Sequence, residues 1–373
     1  MIKKIFFILT LLFAVNNIVA QDPVFSQYLF NPIYLNPALA GMDNNFRISM
    51  NKRSQWSKIP SQFNTNSISL DSWQNNTNSA LSFLYSNNNE GEAYLRTNNL
   101  YAGGAYRLFD VFPSPFAWQF GFQYQYISKN IDFSRLVFSD ELDNYLGNVN
   151  SSSFISPNTS SFKSSNLVLG TVLTYHIKRG SRSRRFHLPL NLDLEIGLAV
   201  HNFIQRSNSF INDAYKVNRK YTLHGSMLWP FKSGKLAGGV KHSAIYLEQG
   251  GLSTLQIGLA EAWLYPLHFG IFYRQQMTSL VDDLDRFESL YFIFGYQKVY
   301  KQSNLSLTFS YSRDFTISEL GSYTNGVNEL SIIFESIEGG LFSGLIQAKR
   351  HYKNKYRSIP CYSKFNTRAG LTK

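Results

Sequence analysis

Hydrophobic and polar residues alternate with a period of two along most of the chain from residue 44 onward. The clearest example runs from Trp118 to Tyr126, where aromatic residues at even positions alternate with Gln and Gly at odd positions. The segments 191–203 and 303–313 alternate in the same way. An α-helix repeats every 3.6 residues, so this pattern predicts β-strands with one apolar and one polar face.

Segments of this kind predict an all-β fold, a transmembrane antiparallel β-barrel of about 14 strands over residues 44–335. A tilted strand needs about 9 to 11 residues to cross a bilayer, whereas strands of soluble sheets commonly have about 5 or 6. An even strand number brings both chain ends to one side of a single-chain barrel. The predicted strands are 44–53, 62–71, 78–86, 97–108, 116–128, 165–176, 191–203, 219–229, 235–246, 252–264, 267–275, 288–298, 303–313 and 326–335.

The predicted connections fall alternately into a longer and a shorter set, and outer-membrane barrels carry their longer loops outside the cell. We therefore expect the longest connection, 129–164, to face outward. A segment at 21–43 and a tail at 336–373 are then periplasmic, where the first segment can plug the barrel or meet a partner. On the short side, the basic run from Lys178 to Arg185 is either a solvated turn near lipid phosphates or a contact for an acidic partner.

The chain begins with the features of a secretory signal. Lys3 and Lys4 precede an apolar run from Ile5 to Val15, and the small residue Ala20 precedes Gln21. The run is too short for a transmembrane helix. We expect residues 1–20 to be a signal peptide.

Composition narrows the class of protein. The only cysteine excludes an intramolecular disulfide, and the 31 Phe and 23 Tyr residues favour a membrane barrel over a soluble β protein. The formal net charge of +12 suits lipid phosphates, cell-wall carboxylates or an acidic protein. No nucleic-acid-binding motif accompanies it, so nucleic acid is not an expected partner.

No catalytic, cofactor or metal site is predicted. The seven histidines are scattered, and no nucleophile, base and orienting group stand together. A lipid hydrolase that uses His201, His224 or His242 on the barrel wall stays open as a minor alternative. The acidic cluster Asp282 to Asp285 has the oxygen ligands for calcium but lacks the glycine and spacing of a dedicated loop, which favours a solvated acidic loop.

The segment 21–41 is compact and bent, because Pro23, Pro32 and Pro37 interrupt both helix and strand. Its aromatic and aliphatic residues predict that it is buried against another part of the protein. From this chemistry alone, a loop that covers one end of a core is an adequate interpretation.

The order of residues here resembles the opening signature of the PorP/SprF family. The matching residues are Asp22-Pro23, Phe25-Ser26-Gln27-Tyr28, Asn31-Pro32, Tyr34-Leu35-Asn36-Pro37-Ala38 and Ala40-Gly41. Phe138-Ser139-Asp140 and Asn328-Glu329-Leu330-Ser331-Ile332 resemble later family elements, although Asn328 replaces the usual His. Near the end, Pro360 precedes Cys361 in an order that differs from the family, which puts any role of Cys361 in doubt.

The resemblance implies a non-enzymatic component of type IX secretion and gliding motility in the bacterial outer membrane, which supports export or surface attachment of adhesins. Implied partners are outer-membrane lipid, secretion machinery on the periplasmic side and secreted adhesin cargo. The alternative is a general or substrate-specific porin, which differs in having an open lumen. The residues we predict to bind partners are Pro23, Phe25, Tyr28, Phe30, Asn31, Pro32, Tyr34, Asn36, Pro37, Phe138 and Asp140.

Overall fold

A computed structural model describes most of the chain. It describes residues 24–59, 63–74, 77–91, 95–108, 116–143, 145, 147–149, 151–153, 160–178, 191–206, 216–233, 236–277, 288–300, 302–317 and 324–336. The predicted signal peptide, Pro23, the acidic cluster Asp282 to Asp285, most of the basic run and the predicted tail beyond Ser336 lie outside these residues.

The predicted barrel is confirmed, because fourteen strands form one closed antiparallel barrel in the described part of the chain. The barrel strands are β1 (Phe46–Gln55), β2 (Phe63–Gln74), β3 (Ser79–Glu90), β4 (Leu95–Leu108), β5 (Phe116–Asn130), β8 (Ser161–Lys178), β9 (Asn191–His201), β10 (Lys220–Ser233), β11 (Leu236–Gln249), β12 (Leu252–Leu264), β13 (Leu267–Gln276), β14 (Glu288–Tyr300), β15 (Leu305–Thr316) and β16 (Val327–Ser336). Strand β1 pairs with β16 and closes the wall. Strands β6 (Leu142–Asp143) and β7 (Gly147–Asn148) form a separate hairpin between β5 and β8.

The wall is apolar outside, and its inner face is mostly polar with some buried apolar side chains, such as Phe272 and Tyr291. On β5, Phe120, Phe122 and Tyr124 are 38%, 58% and 48% exposed, whereas the intervening Gln119 and Gln123 are buried. The period of two predicted these two faces, and the structure shows that the aromatic face is the outer one. A bilayer covers such a face, as in other transmembrane barrels.

Several strands extend beyond their predicted ends, and the residues added to β3, 87–90, are all polar. Strand β3 continues to Glu90 and β4 begins at Leu95, where the sequence predicted 86 and 97. Across this extension the Tyr85 hydroxyl and Asn87 Nδ2 donate hydrogen bonds to Asn98 Oδ1, at 2.9 and 2.8 Å. The ladder therefore continues past the apolar band that the sequence pattern marks.

Helices are few and short in the described residues. They comprise the 3-10 turns Tyr28–Phe30, Pro37–Leu39 and Phe133–Arg135 and the single α-helical turn Pro32–Leu35. None of the described helices is long and apolar enough to cross a membrane. Three of the four belong to the N-terminal segment described next.

Candidate functional site: a plugged lumen

The N-terminal segment folds into three consecutive short turns because of its Asn-Pro pairs. Pro32 and Pro37 each occupy the first position of a turn, where no backbone N–H is needed and the fixed φ suits a helix. Asn36 caps the last turn, since its Oδ1 accepts the Ala38 N–H at 2.9 Å. The result is a compact segment instead of an extended tail.

We call residues 24–45 the plug, because they lie inside the barrel and contact the inward-facing residues of its wall. The sequence placed this segment on the periplasmic side and left plugging and partner contact open; the structure shows plugging. Tyr34 is half-buried, and the other described members of the predicted partner-binding set in this segment are buried, namely Phe25, Tyr28, Phe30, Asn31, Pro32, Asn36 and Pro37.

Aromatic side chains of the plug pack against one side of the wall. Phe30 stacks on His268, with ring centroids 5.3 Å apart, and His268 stacks on Trp263 at 4.1 Å. Tyr28 packs edge-on against Phe272 at 6.2 Å, and its hydroxyl forms a hydrogen bond with Ser243. Full burial of a large apolar side chain contributes about 1.5–3 kcal/mol, so these rings stabilise the plug substantially.

One carboxylate, Glu329 on β16, holds the beginning of the plug. Its two oxygens accept the consecutive backbone N–H groups of Ser26 and Gln27, at 2.8 and 3.1 Å. Gln27 Nε2 donates to the backbone carbonyl of Glu329 at 2.8 Å and to Ser312 Oγ at 3.2 Å. Hydrogen bonds to an ionised group are the stronger class, about 1.5–3 kcal/mol each.

A buried ion pair continues this contact. The Ser26 hydroxyl donates to Asp314 Oδ2 at 2.7 Å, and Arg274 donates to the same oxygen at 3.0 Å and to Ser26 Oγ at 2.9 Å. Arg53 Nε lies 4.0 Å from Glu329. Two arginines and two carboxylates therefore balance one another, and loss of any one leaves a buried charge unpaired.

The middle of the plug is held by Asn36, which is fully buried. Its Nδ2 lies 3.2 Å from the carbonyl of Thr171, 3.3 Å from that of Leu198 and 3.0 Å from His224 Nε2. His224 Nδ1 lies 3.5 Å from Glu195. A histidine that the sequence left open as a hydrolase residue thus supports the plug.

Two glycines in the wall make room for this turn. Gly121 on β5 and Gly170 on β8 are directly paired across the ladder. A Cβ on Gly121 would lie 2.2 Å from the Ala38 nitrogen, and one on Gly170 would lie 2.0 Å from Asn36 Oδ1. Any side chain at these positions collides with the plug, so the wall is shaped for a closely approaching backbone.

The C-terminal end of the plug is hydrogen-bonded to the first two barrel strands. The Gly41 N–H donates to Asp71 Oδ2 at 2.8 Å, and the Arg47 guanidinium donates to both Asp71 oxygens at 2.9 and 3.0 Å. This bidentate geometry is the strongest arrangement of a guanidinium and a carboxylate.

Arg107 on β4 forms a second set of hydrogen bonds at this end of the plug. Its Nη2 donates to the carbonyl of Met42 at 3.1 Å, its Nη1 to Asn44 Oδ1 at 2.8 Å and its Nε to Gln119 Oε1 at 2.8 Å. The guanidinium also lies 4.3 Å from the ring centroid of Trp73. Arg107 therefore fixes the plug where it joins the wall.

Two cavities between plug and wall each hold about 20 Å³, which is room for a single water molecule. One is lined by Tyr28, Asn31 and Lys220, and the other by Leu39, Glu195 and His224.

Phe138 and Asp140 lie elsewhere, in the connection between β5 and β8. Asp140 accepts hydrogen bonds from Ser152 Oγ at 3.1 Å and from the N–H and hydroxyl of Ser153, both at 2.6 Å. These bonds, led by the Ser153 hydroxyl, lower the pKa of Asp140. The Phe138 N–H donates to Glu141 Oε2 at 3.2 Å. Asp140 thus fixes the shape of this connection.

The described residues offer no group of three or more His, Cys, Asp or Glu side chains placed to hold a metal ion.

A model of a known family matches residues 17–334, and its description is "Type IX secretion system membrane protein PorP/SprF". The chain belongs to the PorP/SprF family. No curated protein matches it. Among solved structures, this PorP/SprF protein is similar to a FadL homologue from Pseudomonas aeruginosa, with 12% identity and a TM-score of 0.34 over 84% of this chain and 93% of that one.

Two further solved structures are similar. An outer membrane channel from Pseudomonas putida F1 has 12% identity and a TM-score of 0.37 over 85% of this chain and 99% of that one. OmpT of Vibrio cholerae has 9% identity and a TM-score of 0.33 over 78% and 96%. The PorP/SprF protein is thus a closed β-barrel of a family of type IX secretion system membrane proteins, as the resemblance implied.

Sequence reasoning missed the wall residues that hold the plug. Glu329 was noticed only as part of a strand pattern, and Asp314, Arg274 and Arg107 were not singled out. Their shared signal is a charged residue on the inward face of a predicted membrane strand. Such residues are costly at membrane depth unless they are paired, so each is a candidate functional position.

Proposed function

We propose that this PorP/SprF protein is a sealed, non-enzymatic outer-membrane component of the type IX secretion and gliding machinery, which supports export or surface attachment of adhesins. The observation that supports this function over an open porin is the plug. It lies in the lumen and is hydrogen-bonded to the wall at both of its ends. A barrel closed in this way preserves the membrane barrier while its two rims remain accessible to other proteins.

The outer rim is the proposed side for cargo. The connection between β5 and β8 carries exposed apolar side chains near Asp140, with Tyr145 96% and Leu142 53% exposed. Exposed apolar groups on a fixed loop are typical of protein contact sites. We assign Phe138 and Asp140 to shaping this surface.

The plug residues have a different proposed role. Contact of Phe25, Tyr28 or Phe30 with a partner requires the plug to leave the lumen, since all three are buried. We therefore assign these rings to sealing, and we place the machinery contact at the periplasmic rim.

Surface display of adhesin in a strain that lacks this gene tests the proposal. Wild-type protein should restore display, and a Leu142→Ser, Tyr145→Ala variant should restore much less of it. Ile317, 58% exposed after β15, provides a matched control, and Ile317→Ser should restore display fully. Heat-modifiable migration of each variant checks that the barrel has formed. Normal display in the strain without the gene overturns the proposal.

A further inference from the structure

Outward-facing cations of the barrel lie near strand ends, where long basic side chains reach the polar interface of a membrane. Lys52, Lys298 and Arg313 do so on separate strands, β1, β14 and β15. The arrangement differs at the end of the wall that carries the connection between β5 and β8. There, cations from β8 and from the connection between β9 and β10 share one part of the surface.

On β8 the outward face carries Lys163 and Ser165. Leu169, on the same face, is exposed, whereas Val168 on the opposite face is buried. Arg206, in the connection after β9, donates a hydrogen bond from Nη1 to Ser165 Oγ at 2.9 Å. The guanidinium of Arg206 is therefore held against the outside of the wall, close to Lys163.

Arg219, directly before β10, lies on the same part of the surface. The Val217 N–H donates to the carbonyl of Arg206 at 3.1 Å, which holds the two halves of the β9–β10 connection together. Arg219 Nε donates to the carbonyl of Phe203 at 3.2 Å, and its guanidinium carbon lies 5.7 Å from the centroid of the Phe203 ring. Lys163, Arg206 and Arg219 are all exposed. We call these three residues the basic patch.

The charge of the basic patch is not balanced by the protein that surrounds it. Within the part of the chain that the structure describes, the salt bridges involve other cations. Glu248 is exposed on β11, where it pairs with Tyr221, but it forms no salt bridge with the patch. Like charges held side by side repel one another, so an anion is the complementary ligand.

The surroundings of the basic patch select the kind of anion. Apolar side chains continue from it along the outward face, since Phe203 and Ile204 are exposed beside Arg219, and Tyr221 and Leu223 are exposed on β10. A bilayer covers an outward apolar face of this kind, which puts the patch at the level of the lipid headgroups. The anions at that level are the phosphates of lipids.

We propose that Lys163, Arg206 and Arg219 bind the phosphate group of a membrane-lipid headgroup. Phe203 and Tyr221 then contact its acyl chains. A guanidinium has five N–H donors, so each arginine can contact the phosphate and keep the hydrogen bond that positions it. This site lies on the outside of the wall and depends neither on the plug nor on the proposed cargo surface.

Native mass spectrometry of the purified full-length protein tests the site with two lipids that differ only in the phosphate. Dioleoyl phosphatidic acid should bind at one site. Dioleoylglycerol, which has the same chains and no phosphate, should not be retained. Inorganic phosphate at the same concentration as the lipid should not displace it, because the free ion lacks the chains that contact the apolar face.

Substitution of the basic patch tests the residues. A variant that combines Lys163→Gln, Arg206→Gln and Arg219→Gln should bind phosphatidic acid roughly a hundredfold more weakly, since each cation near an anionic lipid contributes about a fivefold change. Heat-modifiable migration checks that the barrel of the variant has formed.

The matched control removes the same charge elsewhere on the outward face. A variant that combines Lys52→Gln, Lys298→Gln and Arg313→Gln should bind phosphatidic acid like the wild type. Equal retention of the two lipids, displacement by inorganic phosphate, unchanged binding in the patch variant or an equal loss in both variants overturns the proposal.

Discussion

The close approach between plug and wall at Gly121 gives the sharpest prediction. In Gly121→Ala, the new Cβ starts 2.2 Å from the Ala38 nitrogen, whereas ordinary contact begins at 3.4 Å. The obstacle is backbone, so no side-chain rotation relieves it and the plug has to retreat by the difference, about 1.2 Å. Overpacking of this kind costs about 1–3 kcal/mol.

The retreat also breaks polar contacts. Gln119 Nε2 donates to the carbonyls of Ala38 and Ala40, both at 2.7 Å, and each such bond contributes about 1 kcal/mol. Together these effects weaken docking of the plug by about 3–5 kcal/mol. Because about 1.4 kcal/mol is a factor of ten, the open fraction should rise at least roughly a hundredfold.

Hydrogen–deuterium exchange read by mass spectrometry measures that fraction, since amides of the plug exchange when it opens. In Gly121→Ala, peptides from residues 24–41 should exchange at least roughly a hundredfold faster, with the barrel strands unchanged. The control is Gly225→Ala on β10, where the nearest atom lies 3.5 Å from the new Cβ. Unchanged exchange in Gly121→Ala, or an equal rise in the control, refutes the packing argument.

Three further changes test other contacts of the structure. Glu329→Gln places an amide donor against the N–H groups of Ser26 and Gln27, so exchange at those amides should rise by the equivalent of about 2–4 kcal/mol. Arg107→Lys loses the guanidinium fork and should loosen the other end of the plug by about 1–3 kcal/mol in the same assay, without exposing Ser26. Because the pKa of Asp140 is lowered, its hydrogen bonds stabilise the connection between β5 and β8 fully above the usual carboxyl pKa of about 4. That stabilisation is lost as the pH falls through the lowered pKa, so limited proteolysis should cut this connection faster in strong acid. Asp140→Asn should be cut faster than the wild type already at neutral pH. Proteolysis of Asp140→Asn at the wild-type rate contradicts the role of Asp140 in this connection. Unchanged hydrogen exchange in Glu329→Gln or in Arg107→Lys contradicts the role of that residue in holding the plug.

The strands were predictable because side-chain alternation follows directly from strand geometry. The run from Trp118 to Tyr126 identified β5 and its two faces. It did not identify which face meets lipid, since a period of two separates two faces without showing which of them points outward. The polar end of β3 and the start of β4 were missed because backbone pairing, and not hydrophobic contrast, extends them.

The plug was predictable in part. Three prolines and many aromatic residues required a bent, buried segment, and this holds from Val24 onward. Its surroundings were not predictable, because Ser26 and Glu329 are 303 residues apart in sequence. Closure of the barrel brings the first and last strands together beside this segment. No local sequence pattern predicts the resulting contact between Ser26 and Glu329.

Single-channel conductance of the purified full-length protein in a planar bilayer tests the sealed lumen most directly. The wild-type protein should pass no steady current, and a variant that lacks residues 24–41 but keeps residues 1–23 should pass a large one. A steady ohmic current through the wild-type barrel, equal to that of the variant, contradicts the account.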